Sequence, residues 1–363
     1  MQYPSQDTKT RAMGVSPERL RLFVTAVYQY AGVPEEEAIF AADTLVQADL
    51  WGHQSHGCLR LAWYLARLMS GATKPASQPA TIIDAGAVAV IDGQDGLGPT
   101  VAKHATEQAI RRAKQHGVGA VAVRNSNHFG TCMYYTGMGA REGCVTLLTT
   151  NGGPNMAPWG GRKKMIGTNP WSVAAPAGRH PPMIMDVANS GVARGKIFLA
   201  QQRHESIPSN WALDAQGLPT TDPRAALEGL ILPMASHKGY AIGVIVDMLS
   251  GVLTGSAFLD DVHGPYDPVN RSGAGHFFIA LNIEAFQPLS QFNARMEEYI
   301  RRLKETPRAD GIDEIFYPGE IEARNGERHA AEGLQLPEDT LAALLAIARE
   351  TGLEHLYPEP QVR

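Results

Sequence analysis

Apolar residues recur at helical spacing towards both ends of the chain. Ser16-Pro17-Glu18 is a typical helix start, because serine can cap free N–H groups, proline fits the first turn and an acid there faces the positive end of the helix dipole. The apolar residues that follow are spaced near 3.6 and predict one buried face: Leu20, Phe23, Val24, Val27 and Tyr28. Similar patterns predict helices over residues 33–46, 56–69, 290–304 and 338–351.

The middle of the chain alternates between short apolar runs and helical stretches. The runs at residues 85–91, 119–123, 145–149, 182–186 and 275–282 predict strands, and helices are expected over 99–115 and 238–253. This order is typical of a mixed α/β protein. Helical ends around an α/β middle predict that the N- and C-terminal segments pack together.

Length and composition indicate an ordinary globular protein with more than one domain. The chain has 363 residues, of which 44% are hydrophobic, so it can bury a large core. Its net charge of −5 predicts neither nucleic-acid nor membrane binding. The best apolar run, 239–253, is shorter than the roughly 18–20 residues of a membrane helix. A polar N-terminus and three cysteines without CxxC spacing predict a cytoplasmic protein.

The strongest candidate site is the segment from Ser55 to Tyr64. If one helix begins near Ser55, then His56, Arg60 and Tyr64 lie at i, i+4 and i+8 on one face. Arginine's planar fork suits a carboxylate, and a nearby histidine can move a proton. Ser55 and Tyr64 could orient the proton donor or bind the substrate. Spacing alone leaves open a second interpretation, in which Arg60 is a surface residue, His56 a cap and Tyr64 part of the core.

Three further segments carry polar residues suited to a ligand. His128 follows a predicted strand, where α/β proteins often bind ligands. Asp186 ends another strand and could accept hydrogen bonds from ribose hydroxyls, while Arg194 and Lys196 could meet phosphate. Lys238 opposes the helix dipole in a first turn, which an anion bound there would explain. Each segment could also be an ordinary solvated loop or cap.

Several familiar motifs are missing from the sequence. The glycine-rich places do not spell GxGxxG followed by an acid, so a Rossmann dinucleotide fold is not expected. GxxxxGK[ST], HExxH and GxSxG are also absent. The spacing of His56, His128 and Asp186 does not indicate a metal site, and no metal is predicted.

Taken together, the segments resemble the type 2 malate/L-lactate dehydrogenase family, whose relatives include ureidoglycolate, sulfolactate and hydroxycarboxylate dehydrogenases and the cyclic ketimine reductases. The matching blocks occur in family order across about residues 15–350. They are Asp49…Gly52…Ser55-His56-Gly57…Arg60…Tyr64, Ser126-Asn127-His128-Phe129-Gly130, Met156-Ala157-Pro158-Trp159-Gly160-Gly161, Gly167-Thr168-Asn169-Pro170, Asp186-Val187-Ala188, Ala193-Arg194-Gly195-Lys196, His237-Lys238-Gly239-Tyr240 and Pro318-Gly319-Glu320.

The resemblance implies a non-Rossmann fold that binds NAD, or alternatively NADP, on a mixed, largely antiparallel sheet. It also implies a homodimer with an active site between domains and near the subunit interface. We predict a helical domain from residues 1–75 with 290–363, a dinucleotide-binding domain from 76–125 with 185–289, and a small third domain over 126–184.

The resemblance also implies roles for individual residues. Ser55 and His56 match a proton-donating pair, and Arg60 matches the anchor of a small carboxylate substrate, with Thr168 as a further substrate contact. His128 matches an acid/base residue of the ureidoglycolate branch, so either histidine could move the proton. The implied cofactor contacts are His128, Phe129, Gly130, Asp186, Val187, Ala188, Arg194, Gly195, Lys196, His237, Lys238, Gly319 and Glu320.

One departure separates the branches of the family. The ketimine reductases carry an aspartate of their proton relay where this chain has Lys196, so the sequence favours a 2-hydroxy-acid dehydrogenase over an imine reductase. The residues are also compatible with a metal-dependent hydrolase or lyase that uses the same histidines, and with a non-catalytic binding protein. The sequence leaves open the hydroxy acid, its stereochemistry and the choice between NAD and NADP.

Overall fold

The computed structural model describes residues 14–192, 194–202 and 204–360. The helices are α1 (Pro17–Tyr30), α2 (Glu35–Leu50), α3 (Leu61–Ser70), α4 (Gly98–His116), α5 (Cys132–Arg141), α6 (Arg194–Gln202), α7 (Pro223–Glu228), α8 (His237–Asp247), α9 (Leu289–Lys304), α10 (Glu320–Glu332) and α11 (Glu338–Thr351). The strands are β1 (Ala80–Ala85), β2 (Val88–Asp92), β3 (Val118–Ser126), β4 (Cys144–Thr150), β5 (Trp171–Ala177), β6 (His180–Val187), β7 (Ala212–Leu213), β8 (Leu230–Ile231) and β9 (Ala274–Asn282).

Seven strands form one mixed sheet in the order β1-β2-β3-β9-β4-β5-β6. Within this sheet of described residues, β2 and β3 are parallel, whereas the other five neighbouring pairs are antiparallel. A doubly wound dinucleotide fold has a mostly parallel sheet instead. The mixed α/β class predicted from the sequence pattern and the largely antiparallel sheet implied by the resemblance are therefore confirmed.

The backbone contacts divide the chain into two compact units. The first runs to Leu65 and resumes at Ile321, and the second spans Ala66–Glu320. In the first unit Val15 and Leu334 exchange backbone hydrogen bonds of 2.8 Å, and α1 packs against α11. The predicted packing of the two helical ends is thus confirmed. The division into three domains stays a prediction.

The first helix forms as its sequence predicts. The Ser16 hydroxyl accepts a hydrogen bond from the Arg19 N–H at 3.3 Å, which caps the helix start. The predicted apolar face is fully buried. Burying each large side chain of this face contributes about 1.5–3 kcal/mol relative to leaving it exposed. The residues are Leu20, Phe23, Val24, Val27 and Tyr28.

Several predicted elements are corrected by the structure. The expected single strand over residues 85–91 is a hairpin of β1 and β2, because Gly86 turns the chain with φ +72°. The predicted helix over 238–253 is α-helical to Asp247 and continues as a π-helical turn over Met248–Val252. No helix among the described residues combines the length and apolarity required to cross a membrane.

The helix predicted over residues 56–69 is also wrong in its first part. The chain forms two 3-10 turns, Gln54–His56 and Cys58–Arg60, and the α-helix begins only at Leu61. Gly57 between the turns is extended, with φ −89° and ψ −150°. His56, Arg60 and Tyr64 therefore do not share the face of one helix.

Candidate active site

A buried aspartate explains why the helix does not run through residues 55–60. The Asp49 carboxylate accepts a hydrogen bond from the Cys58 N–H at 2.8 Å. In a continuous helix this N–H would donate to the carbonyl four residues earlier, that of Gln54. The side chain thus competes with the helical hydrogen bond, and the chain turns at Gly57 instead.

The turn presents Arg60 in a fixed orientation. Its Nε donates to the carbonyl oxygen of Ser55 at 2.6 Å, and its guanidinium carbon lies 4.6 Å from the centre of the Trp63 ring. Only 8% of Arg60 is exposed. A guanidinium held by a carbonyl and an aromatic face is preorganised, so it can receive a planar carboxylate with little loss of side-chain entropy.

The same serine also holds His56. The Ser55 hydroxyl and the His56 Nδ1 share a hydrogen bond of 2.9 Å. Burial lowers the pKa of His56 to about 3, and the positive charges of Arg60 and His53 add to this effect. The imidazole is therefore neutral near pH 7 and able to accept a proton. An anion bound at Arg60 would offset part of that charge and raise the pKa of His56.

Tyr64 lies in the interior of the first unit. It is 4% exposed and close to Tyr28, whose pKa is raised by burial and further by Tyr64. The second interpretation of the sequence, a core tyrosine, agrees with this burial. A contact between Tyr64 and the substrate stays a prediction.

The loop after β3 places His128 in the second unit. The neighbouring Asn127 is buried, accepts hydrogen bonds from Arg67 at 3.0 Å and Thr73 at 3.1 Å, and donates to the Gly96 carbonyl at 2.8 Å. These bonds fix the backbone next to His128. The His128 Nδ1 in turn accepts from the Gly130 N–H at 3.2 Å.

The two residues after His128 differ in what surrounds them. Phe129 is 2% exposed, with its ring centroid 4.7 Å from that of His276 and 5.0 Å from that of Tyr135. Gly130 has φ +91°, and a Cβ there would meet no atom within 4 Å. The open space beside this backbone would let a ligand approach closely.

Two buried asparagines connect three of the predicted cofactor and substrate segments. The Asn189 N–H donates to the Thr168 carbonyl at 2.8 Å, and its side-chain amide donates to the Asn169 carbonyl at 2.5 Å. The Asn189 carbonyl accepts from the Met234 N–H at 2.8 Å, just before α8. Thr168, the end of β6 and the start of α8 are therefore neighbours.

Sequence reasoning did not select Asn169 and Asn189 as site residues. Both are fully buried, and the Asn189 Oδ1 has no hydrogen-bond partner among the described residues. A buried carbonyl oxygen without a partner costs free energy, which a donor on a bound ligand would recover. The sequence does contain a signal for both: Asn169 directly follows Thr168, and Asn189 directly follows Ala188, and both preceding residues are predicted ligand contacts.

Asp186 and Glu320 make contacts within the protein. The Asp186 carboxylate accepts from the Met133 N–H at 2.7 Å in the first turn of α5. The Glu320 carboxylate accepts from the Lys304 ammonium at 2.5 Å. Their predicted contacts with a dinucleotide stay predictions, as do those of Val187 and Ala188, which end β6 and follow it.

The turn at Gly319 lies against the backbone of β6. Gly319 has φ +91°, and a Cβ there would lie 3.0 Å from the Ile184 nitrogen. The Ile184 N–H donates to the Pro318 carbonyl at 3.0 Å. Only glycine fits this close approach, so the requirement for Gly319 follows from packing whether or not a cofactor binds there.

Basic side chains gather around the hairpin of residues 156–166 in the second unit. Arg194 donates to the Asn155 side chain at 3.1 Å, and the Trp159 ring lies 6.1 Å from that of His237. Burial lowers the pKa of Lys164, and the charge of Arg194 lowers it further. Two cations held near each other are stabilised by an anion such as phosphate.

The remaining basic candidates lie on the neighbouring helices. Lys196 is exposed on α6, which also contains Gly195, and Lys238 is exposed in the first turn of α8. Ala193 lies outside the described residues. Within the described part of the chain, no three histidine, cysteine, aspartate or glutamate side chains are grouped to hold a metal ion.

Known proteins similar to this chain match it over nearly its whole length. A family model described as malate/L-lactate dehydrogenase matches residues 15–345. L-sulfolactate dehydrogenase of Methanocaldococcus jannaschii is 39% identical over 341 residues, which are 94% of this chain and 98% of that protein. Malate dehydrogenase of Pyrococcus abyssi is 35% identical over 350 residues, which are 94% of this chain and 96% of that protein.

A third relative and a solved structure extend the comparison. (2R)-3-sulfolactate dehydrogenase (NADP(+)) of Chromohalobacter salexigens is 35% identical over 92% of this chain and 98% of that protein. A structure of sulfolactate dehydrogenase from Methanocaldococcus jannaschii superposes with a TM-score of 0.90 at 38% identity, covering 96% of this chain and all of that one.

Proposed function

The chain belongs to the malate/L-lactate dehydrogenase family, and from this premise we propose that it interconverts a small 2-hydroxy acid and its 2-oxo acid. It is an oxidoreductase that acts on a CH–OH group with NAD or NADP. The relatives act on sulfolactate and malate by their names, so three-carbon and four-carbon 2-oxo acids are the first substrates to test.

The observation that carries the proposal is the joint placement of Arg60 and His56 by one residue. Ser55 accepts from the Arg60 guanidinium at 2.6 Å and shares a hydrogen bond of 2.9 Å with the His56 ring. A carboxylate bound at Arg60 would carry its C2 oxygen beside a neutral imidazole. Fixing the reacting group next to its proton acceptor supplies much of the rate in such reactions.

In the proposed mechanism Arg60 binds the substrate carboxylate and His56 accepts the proton of the C2 hydroxyl during oxidation. In the reverse direction the protonated imidazole returns this proton to the carbonyl oxygen. Ser55 positions His56 through its Nδ1. His128 is the alternative proton acceptor, and exchanging each histidine for glutamine distinguishes the two.

The second unit would hold the dinucleotide, which supplies or accepts the hydride. Its residues fit such a ligand in two respects: the backbone at Gly130 borders open space, and the buried Asn189 Oδ1 lacks a donor among the described residues. Arg194, Lys196 and Lys238 would bind the phosphates. Their positive charges would offset the ligand's negative ones.

The test is a screen of NADH and NADPH oxidation with oxaloacetate, pyruvate and sulfopyruvate. Piperideine-2-carboxylate serves as the comparison substrate for an imine reductase. We expect turnover with at least one 2-oxo acid and a higher kcat/KM than with the imine, because Lys196 replaces the relay aspartate of the imine reductases. Turnover of the imine alone would contradict the proposal.

We also propose that the chain is a cytoplasmic homodimer. The support for the dimer is an apolar stripe on the helical segment that follows His237, where Ile245 is 53%, Met248 40% and Val252 57% exposed. Covering such a stripe with a second copy removes apolar surface from water. Light scattering should give twice the monomer mass for the wild type and a smaller mass for I245E; an unchanged mass would argue against this interface.

Three buried free thiols support the cytoplasmic location, since this compartment keeps cysteines reduced. Cell fractionation with a cytoplasmic marker tests it. Recovery with a periplasmic or secreted marker would contradict it.

A further inference from the structure

A buried carboxylate lies behind the turn that carries His56 and Arg60. Asp49 is the second-last residue of α2 and is 1% exposed. It forms no ion pair within the described residues; the Cys58 N–H donates to it at 2.8 Å, and the Cys58 side chain also hydrogen-bonds it. Burying a carboxylate without a cation is expensive, so its presence here calls for a physical explanation.

Asp49 fills the space in which a side chain at position 57 would stand. A Cβ built on Gly57 overlaps all three terminal atoms of the Asp49 carboxylate. Position 57 therefore cannot gain a Cβ while the Asp49 carboxylate keeps this place. This contact fixes the extended backbone of Gly57, where the two 3-10 turns meet.

The rest of the turn depends on this junction. The Arg60 N–H donates to the Gly57 carbonyl at 2.9 Å, and the Arg60 Nε donates to the Ser55 carbonyl at 2.6 Å. Residues 55 and 60 thus meet across Gly57 and Cys58. If residues 55–60 were instead one α-helix, successive residues would be rotated by 100° and the Nε could not be held by the Ser55 carbonyl in this way.

We propose that Asp49 is a positioning residue for substrate binding: it holds the Gly57–Cys58 junction so that Ser55 can orient Arg60 and His56 together. This inference rests on the proposed function, because the oriented groups are those assigned to the substrate. Asp49 itself touches neither group by a hydrogen bond; it acts through the backbone between them.

The ionisation of Asp49 can be observed through its hydrogen-bond partner Cys58. Burial raises the pKa of Asp49 to about 7, while the hydrogen bonds from Cys58 lower it. α1 and the two 3-10 turns pack against α2, and their titratable or charged side chains are Glu18, Arg19, Arg21, Tyr28, Tyr30, His56, Cys58 and Arg60. His329 of α10 also hydrogen-bonds the Leu50 carbonyl at the end of α2. Because Cys58 donates to the carboxylate, its amide signal should report the ionisation of Asp49.

Kinetics of three variants test the positioning role. D49N keeps an acceptor oxygen but loses the charge, D49A removes both, and G57A keeps Asp49 but pushes a methyl group against it. We expect G57A and D49A to raise KM for the best 2-oxo acid at least tenfold, D49N to raise it less, and all three to leave KM for the dinucleotide within twofold.

Asp247 provides a matched control. It is also a buried aspartate, 4% exposed, that accepts from a backbone N–H, that of Leu259 at 3.0 Å, and it lies in the second unit. D247N should leave KM for the 2-oxo acid within twofold even where it lowers Tm as much as D49N does. A tenfold KM effect in D247N, or values within twofold of wild type in both D49A and G57A, would overturn the proposal.

A second measurement does not require activity. Protein labelled with 15N-cysteine should give three amide signals, because the chain has three cysteines, and C58S identifies that of Cys58. This signal should shift between pH 6 and 8 in the wild type and lose that shift in D49N. An unchanged titration in D49N would overturn the role of Asp49 at the junction.

If no 2-oxo acid is turned over while the Cys58 signal behaves as expected, the proposed function fails but the structural role of Asp49 stands.

Discussion

Replacing Arg60 by alanine should remove most of the binding energy for the substrate carboxylate. A hydrogen bond to a charged partner contributes about 1.5–3 kcal/mol, and a guanidinium can make two to one carboxylate. Arg60 is only 8% exposed, so solvent screens this interaction little. The expected loss in transition-state binding is therefore about 3–5 kcal/mol, which lowers kcat/KM by about 10²–10⁴-fold.

Arg60→Lys separates the charge from the geometry of the side chain. Lysine keeps the positive charge but has no planar fork, and it lacks the Nε that donates to the Ser55 carbonyl at 2.6 Å. We expect R60K to fall between R60A and the wild type, with the larger part of its defect in KM. The assay is initial-rate NAD(P)H oxidation with the best 2-oxo acid from the screen.

A matched control is Arg21→Ala, which removes an arginine of the same unit that is paired with Asp43 at 2.7 Å. R21A should keep kcat/KM for the 2-oxo acid within threefold. An R60A enzyme with kcat/KM within threefold of wild type would refute the carboxylate role of Arg60, and an equal loss in R21A would show that the effect is not specific to the site.

Three further predictions concern His56, Asp49 and Lys164. The folded-state pKa of His56 is lowered to about 3, so the wild type should lose stability relative to H56Q as pH falls from about 6.5 towards 3. Because the imidazole is only partly shielded from water, the expected loss in unfolding free energy is about 3 kcal/mol, less than the full pKa shift would give. Equal denaturation midpoints for the two proteins across this range would contradict the prediction. The folded-state pKa of Asp49 is raised to about 7, so the unfolding free energy of the wild type should fall by about 4 kcal/mol relative to that of D49N as pH rises from about 4 to above 7. A difference between the two proteins that stays constant over this pH range, measured by urea unfolding, would exclude this. Lys164 lies near Arg194, whereas Lys163 pairs with Asp260 at 2.8 Å on the surface. K164Q should therefore raise KM for NAD(P)H about three- to tenfold, and K163Q should leave it unchanged. Equal effects of the two variants would count against an anion bound at Lys164.

Regular elements followed from the sequence where local spacing determines them. The first helix has a cap at Ser16 and an apolar face at 3.6 spacing, and both features act within a few residues. The apolar spacing also predicts a helix over residues 338–351, and α11 occupies this range. The mainly apolar run at residues 275–282 likewise predicts a strand, and β9 occupies this range in the centre of the sheet.

The turn at residues 54–60 could not be predicted in this way. Its cause is the Asp49 carboxylate, nine residues earlier, which takes the Cys58 N–H. Helical periodicity contains no information about such a contact. Ser55 forms a hydrogen bond with His56 and another with Arg60 across this turn, a backbone path that the helical spacing does not predict; the roles of the three residues stay predictions.

Some contacts in the second unit also could not be predicted from the sequence. The resemblance implies that Asp186 and Glu320 contact the cofactor, and in the structure they also bond to Met133 and Lys304 from distant parts of the chain. The importance of Asn189 arises from its burial and from its bonds to residues 168, 169 and 234. Tertiary contacts of this kind are visible only once the chain has folded.

The interaction between Arg60 and the substrate carboxylate is tested most directly by comparing a 2-oxo acid with its methyl ester, in the wild type and in R60A. The ester keeps the reacting carbonyl but removes the negative charge. We predict that the wild type prefers the acid at least 100-fold in kcat/KM and that R60A reduces this preference to within about threefold. An unchanged preference in R60A would show that another group binds the carboxylate.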